Sequence, residues 1–205
     1  MAGVRYSLTF VNNSQNSGNA AVYQQDPSLG VPNVQSLAWF VRPAAPVTRV
    51  VFTWTLDYSF VWAETGQLVP GVIFITAQEW PADLSTQNQV SFTKNFAFTF
   101  QNQTTGRQPG TLIISQDNTI PFNTASVGIG MSGAASFAIQ AQPNIQSAFT
   151  PHPQYWITFG RFIQGQVLDI GQVAGQAAQI QFPRGVYSMT ATLGRDSRWT
   201  VSPTP

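Results

Sequence analysis

The sequence predicts an all-β fold: a single antiparallel β-sandwich over residues 1–205, jelly-roll-like, with about a dozen strands and little helix. Three observations predict it. Large apolar residues alternate with polar ones: Val50, Phe52, Trp54 and Leu56, then Tyr58, Phe60 and Trp62. Strict period two marks strands that bury one face. Turn-forming Gly, Pro and Asn punctuate such runs every 8–12 residues or so. No segment sustains a helical period, and Gly171 and Gly175 interrupt the best contender.

The elements follow in order. Val4–Val11 alternates, with Tyr6, Leu8 and Phe10 on one face. Asn12–Asn19 is a polar loop, Ala20–Gln24 a short strand, and Asp26–Asn33 irregular. Ser36–Val41 fits helix by spacing and strand by its Trp39-Phe40 pair; strand is preferred, ending at Arg42–Pro46. The run Val72–Gln78 (VIFITAQ) reads as a strand buried on both faces, and Glu79–Asn88 as a loop or one helical turn capped by Asp83 or Ser85. Val90–Thr93 and Phe96–Gln101 read as a hairpin with Phe96, Phe98 and Phe100 inward. Thr111–Asp117 is a strand. Ala125, Val127, Ile129 and Met131 alternate, and Ser132–Gly133 turns the chain into Ala134–Gln140; this glycine-rich hairpin has small residues that imply a close neighbour. Gln142–Pro153, with three prolines, is a loop. Tyr155–Phe159, Gln166–Ile170, Gln176–Phe182, Val186–Leu193 and Arg198–Val201 complete the strands.

Composition excludes several functions. Only 8% of residues are charged, for a net charge of +1, against about 25% charged in ordinary domains. Gln and Asn number 33 against 17 charged residues, so the surface is wetted mainly by neutral amides. One lysine, Lys94, and eight scattered arginines form no cluster in sequence, which argues against a nucleic-acid partner. Near-zero net charge favours self-association, so a homo-oligomer is expected. No cysteine is present, which removes disulfides and thiolate metal sites and suits a reducing compartment. No run is long and apolar enough to span a membrane, and the N-terminus MAGVRYSLTF has no secretory pattern. A cytoplasmic location is expected.

The catalytic constellations are weak. Gly128-Ile-Gly130-Met-Ser-Gly133 satisfies GxGxxG, but its flanks alternate as strands and no acidic residue follows before Asp169; it reads as a hairpin rather than a dinucleotide site. The single histidine, His152, lies between two prolines, and Ser132 is not in a GxSxG context. One histidine with sparse carboxylates makes a poor metal site. Asp57, Glu64, Glu79 and Asp83 fall in one region, so a carboxylate pair for glycoside hydrolysis stays open as an alternative. The candidate ligand-binding residues are Glu64, then Glu79, Trp80 and Asp83, then Tyr155 and Trp156. Aromatic rings beside amide-rich loops can stack on a sugar while Gln and Asn bond its hydroxyls.

Five phrases resemble the RhiA-like proteins: SLAWF at Ser36–Phe40, WAETG at Trp62–Gly66, LVPGV at Leu68–Val72, SVGIGMSG at Ser126–Gly133 and WTV at Trp199–Val201. The resemblance runs in one order along nearly the whole chain. It implies a soluble bacterial protein of cytoplasmic location, from a family associated with root-associated bacteria and quorum-regulated expression. It brings no catalytic motif, so it assigns no site residue and no cofactor. The expectation is a non-enzymatic sandwich that binds a carbohydrate or another small molecule. A self-assembling structural protein and a glycosidase are the alternatives.

Overall fold

The computed structural model describes residues 4–26 and 28–204. The chain first lays down β1 (Tyr6–Asn12), β2 (Gly18–Gln25), the two-residue β3 (Gln35–Ser36), β4 (Ala38–Ala44) and β5 (Thr48–Trp54). Next come β6 (Tyr58–Ala63), β7 (Gln78–Ala82), β8 (Gln89–Lys94), β9 (Phe98–Thr104), β10 (Leu112–Gln116), β11 (Ser126–Met131), β12 (Ala134–Gln140) and β13 (Ile145–Phe149). The chain ends with β14 (Gln154–Gly160), the single-turn helix α1 (Ile170–Val173), β15 (Ala177–Ile180), β16 (Ser188–Leu193) and β17 (Trp199–Pro203).

These strands make the expected all-β sandwich, and the packing occurs twice. Sheets ordered β17-β16-β1-β5 and β15-β14-β2-β4 share one core, which holds Phe10, Trp39, Phe52, Trp54, Tyr155 and Ile157. Sheets ordered β3-β12-β11-β6-β7 and β13-β10-β8-β9 share a second, which holds Phe60, Phe92, Phe100, Ile114, Phe137 and Phe149. The alternating strands β5 and β6 are therefore neighbours in sequence that serve different cores. Pairing is antiparallel except for β1–β16 and β8–β10.

The glycine-rich hairpin joins the two cores. Ser132 and Gly133 both have positive φ, 55° and 77°, the two-residue turn that matches strand twist. Its flanking Met131 and Ala134 are buried in the first core, and the Trp39 indole N–H donates to the Met131 carbonyl at 2.9 Å. Gly128 meets the close neighbour that its size implies: a Cβ there would lie 2.0 Å from the Phe137 carbonyl oxygen.

Several boundaries differ from the sequence expectation. Val72–Ala77 is not a strand: Phe74 caps the outer face of the five-stranded sheet, while Ile75 is 73% exposed. The amide of Phe74 bonds the Gly165 carbonyl, so this run crosses the sheet instead of extending it. Gln78–Ala82 is a strand despite Pro81, because β7 is an edge that pairs only with β6. Strand β4 likewise continues through Pro43 at an edge. A strand, β13, runs through the proline-bounded loop expected at 142–153. Gln166–Ile170 is not a strand: Gln166 and Val167 make isolated bridges to Ile73 and Leu37, and Ile170 opens α1, where Asp169 caps the Gln172 amide. Leu56 and Phe96 face solvent, Phe96 completely, because it sits on the hairpin tip between β8 and β9.

One side of the second sandwich is fastened by Gln78. Its carbonyl oxygen accepts from the Trp62 indole at 2.8 Å and from the Phe100 amide at 3.0 Å, bridging the edges β7 and β9. Replacing Gln78 by Leu strands both donors, so chemical denaturation is expected to show a loss of about 2 kcal/mol.

Three tyrosines in the protein interior have raised pKa values. Burial, with the nearby Asp26 and Tyr6, pushes Tyr58 up to about 12. Burial also raises Tyr155 and Tyr23. Folding thus favours the protonated phenols. That stability is fully present below the unfolded value of about 10 and is lost as pH climbs through the folded values. The denaturant midpoint is expected to fall from about pH 10 to about pH 12, and phenolate absorbance to rise in step with unfolding.

Candidate functional site

The opposite side of the second sandwich is open. Between the edges β3 and β13 lies a hollow of about 410 Å³, a volume suited to a small ligand. Gln35 of β3 and Ile139 and Gln140 of β12 form one wall. Ile145–Ala148 of β13 form the other, and Gly30–Asn33 with Leu68 close the ends. The 30–33 wall is held in place by its own chain. Leu29 is buried in the second core, and its carbonyl accepts the Thr150 amide at 2.9 Å. The Asp26 carboxylate accepts from the amides of Ser28 and His152. Gly30 and Asn33, with φ of 83° and 57°, turn the loop across the opening.

A buried amide sets the far wall. Gln116, 3% exposed at the end of β10, accepts from the Gln142 amide at 2.8 Å and donates to Ser147 Oγ at 2.9 Å. It thereby ties the 141–144 turn to β13. Nearby, Gln146 donates to Ser115 Oγ at 3.1 Å, and Gln140 donates to the Asn123 side chain.

The lining is divided by chemistry. Val31, Leu68, Ile139 and Ile145 supply an aliphatic surface, and Asn33, Gln35, Gln140, Gln142 and Gln146 supply carboxamides. Among the described residues, no ionisable side chain and no aromatic ring lines it. An ion entering here would lose water and gain no counter-charge, whereas a neutral group can trade its water for an amide.

The sequence-predicted residues lie elsewhere and do not converge. Glu64 is exposed just beyond β6, and Glu79 is exposed on β7. Trp80, the next residue, packs inward with its ring 6.0 Å from that of Phe100. Asp83 caps the turn after β7, accepting from the amides of Ser85 and Thr86 and from the Thr86 hydroxyl. Those bonds, led by the Ser85 amide, hold its carboxyl below the ordinary value. Tyr155 is buried in the first core, 5.0 Å from the Trp54 ring, so it is unavailable for stacking on a sugar. Trp156 points to the other face of β14, stacked on Tyr23.

Two acidic residues do share a hollow. Asp57 and Asp83 line a shallow depression beside Tyr58. Asp57 accepts the Thr55 hydroxyl at 2.5 Å, and Asp83 is engaged as described. A carboxyl held ionised by amides is a poor proton donor. Among the described residues there is no group of three His, Asp or Glu side chains placed to hold a metal, and no helix long and apolar enough to cross a membrane.

The family's sequence profile, RhiA, matches residues 3–204. The chain belongs to the RhiA family. The chain is 37% identical over 204 residues to "Protein RhiA" of Rhizobium leguminosarum bv. viciae, covering 98% of this chain and 87% of the relative. That name states no ligand or reaction. No solved structure matches significantly. The RhiA phrases noted in the sequence fall at structural points. SLAWF crosses from β3 into β4, and SVGIGMSG forms the hairpin that joins the cores.

The amides of the hollow were not singled out from the sequence. The signal present was Gln140, Gln142 and Gln146 within seven positions, but their partners Asn33 and Gln35 lie about a hundred residues away and only the sheets bring them together. Gln116 positions this wall without facing it. Gln116→Leu removes both of its bonds and is expected to cost about 2 kcal/mol in denaturation. Amide exchange is expected to rise over 142–147 before anywhere else in the second sandwich.

Proposed function

We propose that this chain is a non-enzymatic binding module that takes an uncharged small molecule, a carbohydrate or a similar neutral compound, in the hollow between β3 and β13. One observation carries the reading: an opening of about 410 Å³ lined by carboxamides and aliphatic side chains, without one ionisable group. The amides both donate and accept, so they fit hydroxyl, amide or ester groups, while Leu68, Ile139 and Ile145 fit a short apolar portion. The lining has no ring on which a pyranose could stack, so a sugar would be held by hydrogen bonds, with modest affinity.

Saturation-transfer NMR against a panel of neutral glycosides, neutral acyl amides and charged analogues of both tests this. A hit is expected to show millimolar to micromolar affinity. Gln140→Ala is expected to weaken it about 2- to 10-fold, and Ile145→Asp to abolish it. Ligands that bind both variants equally well, or a panel that selects only charged members, would refute the site.

A further inference from the structure

The arginines that are scattered in sequence are gathered by the fold. One end of the first sandwich is built from the turns 12–18, 44–48, 160–164 and 193–199. The register fixes this: Asn12 pairs with Thr48 and Leu193, Gly18 with Ala44, and Asn19 with Gly160. Asn12 ties the two sheets there, its side-chain amide donating to the carbonyls of Asn16 and Ala44. Arg161, Arg195 and Arg198 stand in these turns, and Arg42 and Arg49 sit on the adjoining ends of β4 and β5. All five are exposed. Asp196 is the one carboxylate in the same turns, 3.7 Å from Arg198, with both side chains largely in water. Set against the five arginines, it leaves four positive charges at this end.

The second sandwich has the opposite sign. Residues 57–149 hold Asp57, Glu64, Glu79, Asp83 and Asp117 against Lys94 and Arg107. The rest of the chain holds seven arginines against three aspartates. The net charge of +1 therefore conceals a basic lobe and an acidic lobe. On a surface so poor in charge, few other groups screen this separation. The basic end also exposes Val47 and Ile163, 85% and 58% accessible, which give a contact an apolar component.

We propose that the arginine end of the first sandwich is a docking surface for the acidic second sandwich of another copy of this chain. The charges on the two lobes are complementary, and the two surfaces differ, so the contact is head-to-tail rather than two-fold. It is separate from the hollow and does not depend on what the hollow binds.

Sedimentation velocity of the full chain tests it. Self-association is expected at about 20 mM NaCl, with a Kd at least about tenfold weaker at about 500 mM. Arg161→Glu with Arg195→Glu, and separately Glu64→Lys with Glu79→Lys, are each expected to be monomeric at low salt. An equimolar mixture of the two double variants is expected to associate again. The substituted side chains are exposed, and unchanged circular dichroism verifies that both variants fold. A wild-type monomer at low salt, or association indifferent to salt and to both variants, overturns the proposal. So does an arginine variant that loses binding to anionic vesicles or to nucleic acid while self-associating like the wild type.

Discussion

The neutral carboxamide brace is the interaction on which this structure rests. With so few charges, the chain cannot tie its loops by ion pairs, and its cores leave many backbone groups at the sheet edges to be satisfied. Four amides do that. Asn12 holds the end of the first sandwich. Asn88 accepts the Gly106 amide and donates to the carbonyls of Gln108 and Thr111. Gln78 fastens β7 to β9, and Gln116 ties β13 to the neighbouring turn. Each such side chain offers donor and acceptor at once, which a carboxylate or an ammonium does not.

The braces also explain where the opening lies. The second sandwich has two lateral sides. Gln78 shuts one, while on the other β3 is only two residues long and cannot reach β13. Strand β3 is short because the chain leaves that sheet at once: Leu37 bridges Val167, and Ala38 begins β4 in the first sandwich. The same crossing places Trp39 in the first core with its indole on the Met131 carbonyl. One segment thus joins the two cores and leaves the gap.

Much of the fold was legible in the sequence because period two survives wherever a strand has one buried face. Leu8 and Phe10, Phe52 and Trp54, and Phe98 and Phe100 are all buried as their spacing implies. Legibility failed where another rule prevailed. Pro81 and Pro43 disguise edge strands, which need no donor on their free side. VIFITAQ has the composition of a strand, but only Phe74 is buried, with Val72 partly covered beside it, and Ile75 faces solvent. Strand β13 has a polar face, Gln146, and borders prolines. The hollow and the arginine end were less legible still, since both depend on juxtapositions across the two sandwiches. The aromatics chosen as sugar platforms, Trp80, Tyr155 and Trp156, pack chiefly against other rings of the protein, the commonest use of large rings.

Apart from the two-residue β3, the second sandwich is one unbroken stretch of chain, β6 to β13, whereas the first takes β1, β2, β4 and β5 from before that stretch and β14 to β17 from after it. On the ribosome, the later-starting lobe therefore has all its strands first. Strand β1 meanwhile waits with one edge unpaired until β16 emerges to lie parallel beside it. Newly made chains pass through a state with an open, ring-rich sheet, and that interval is when they are most exposed to aggregation and most dependent on chaperones.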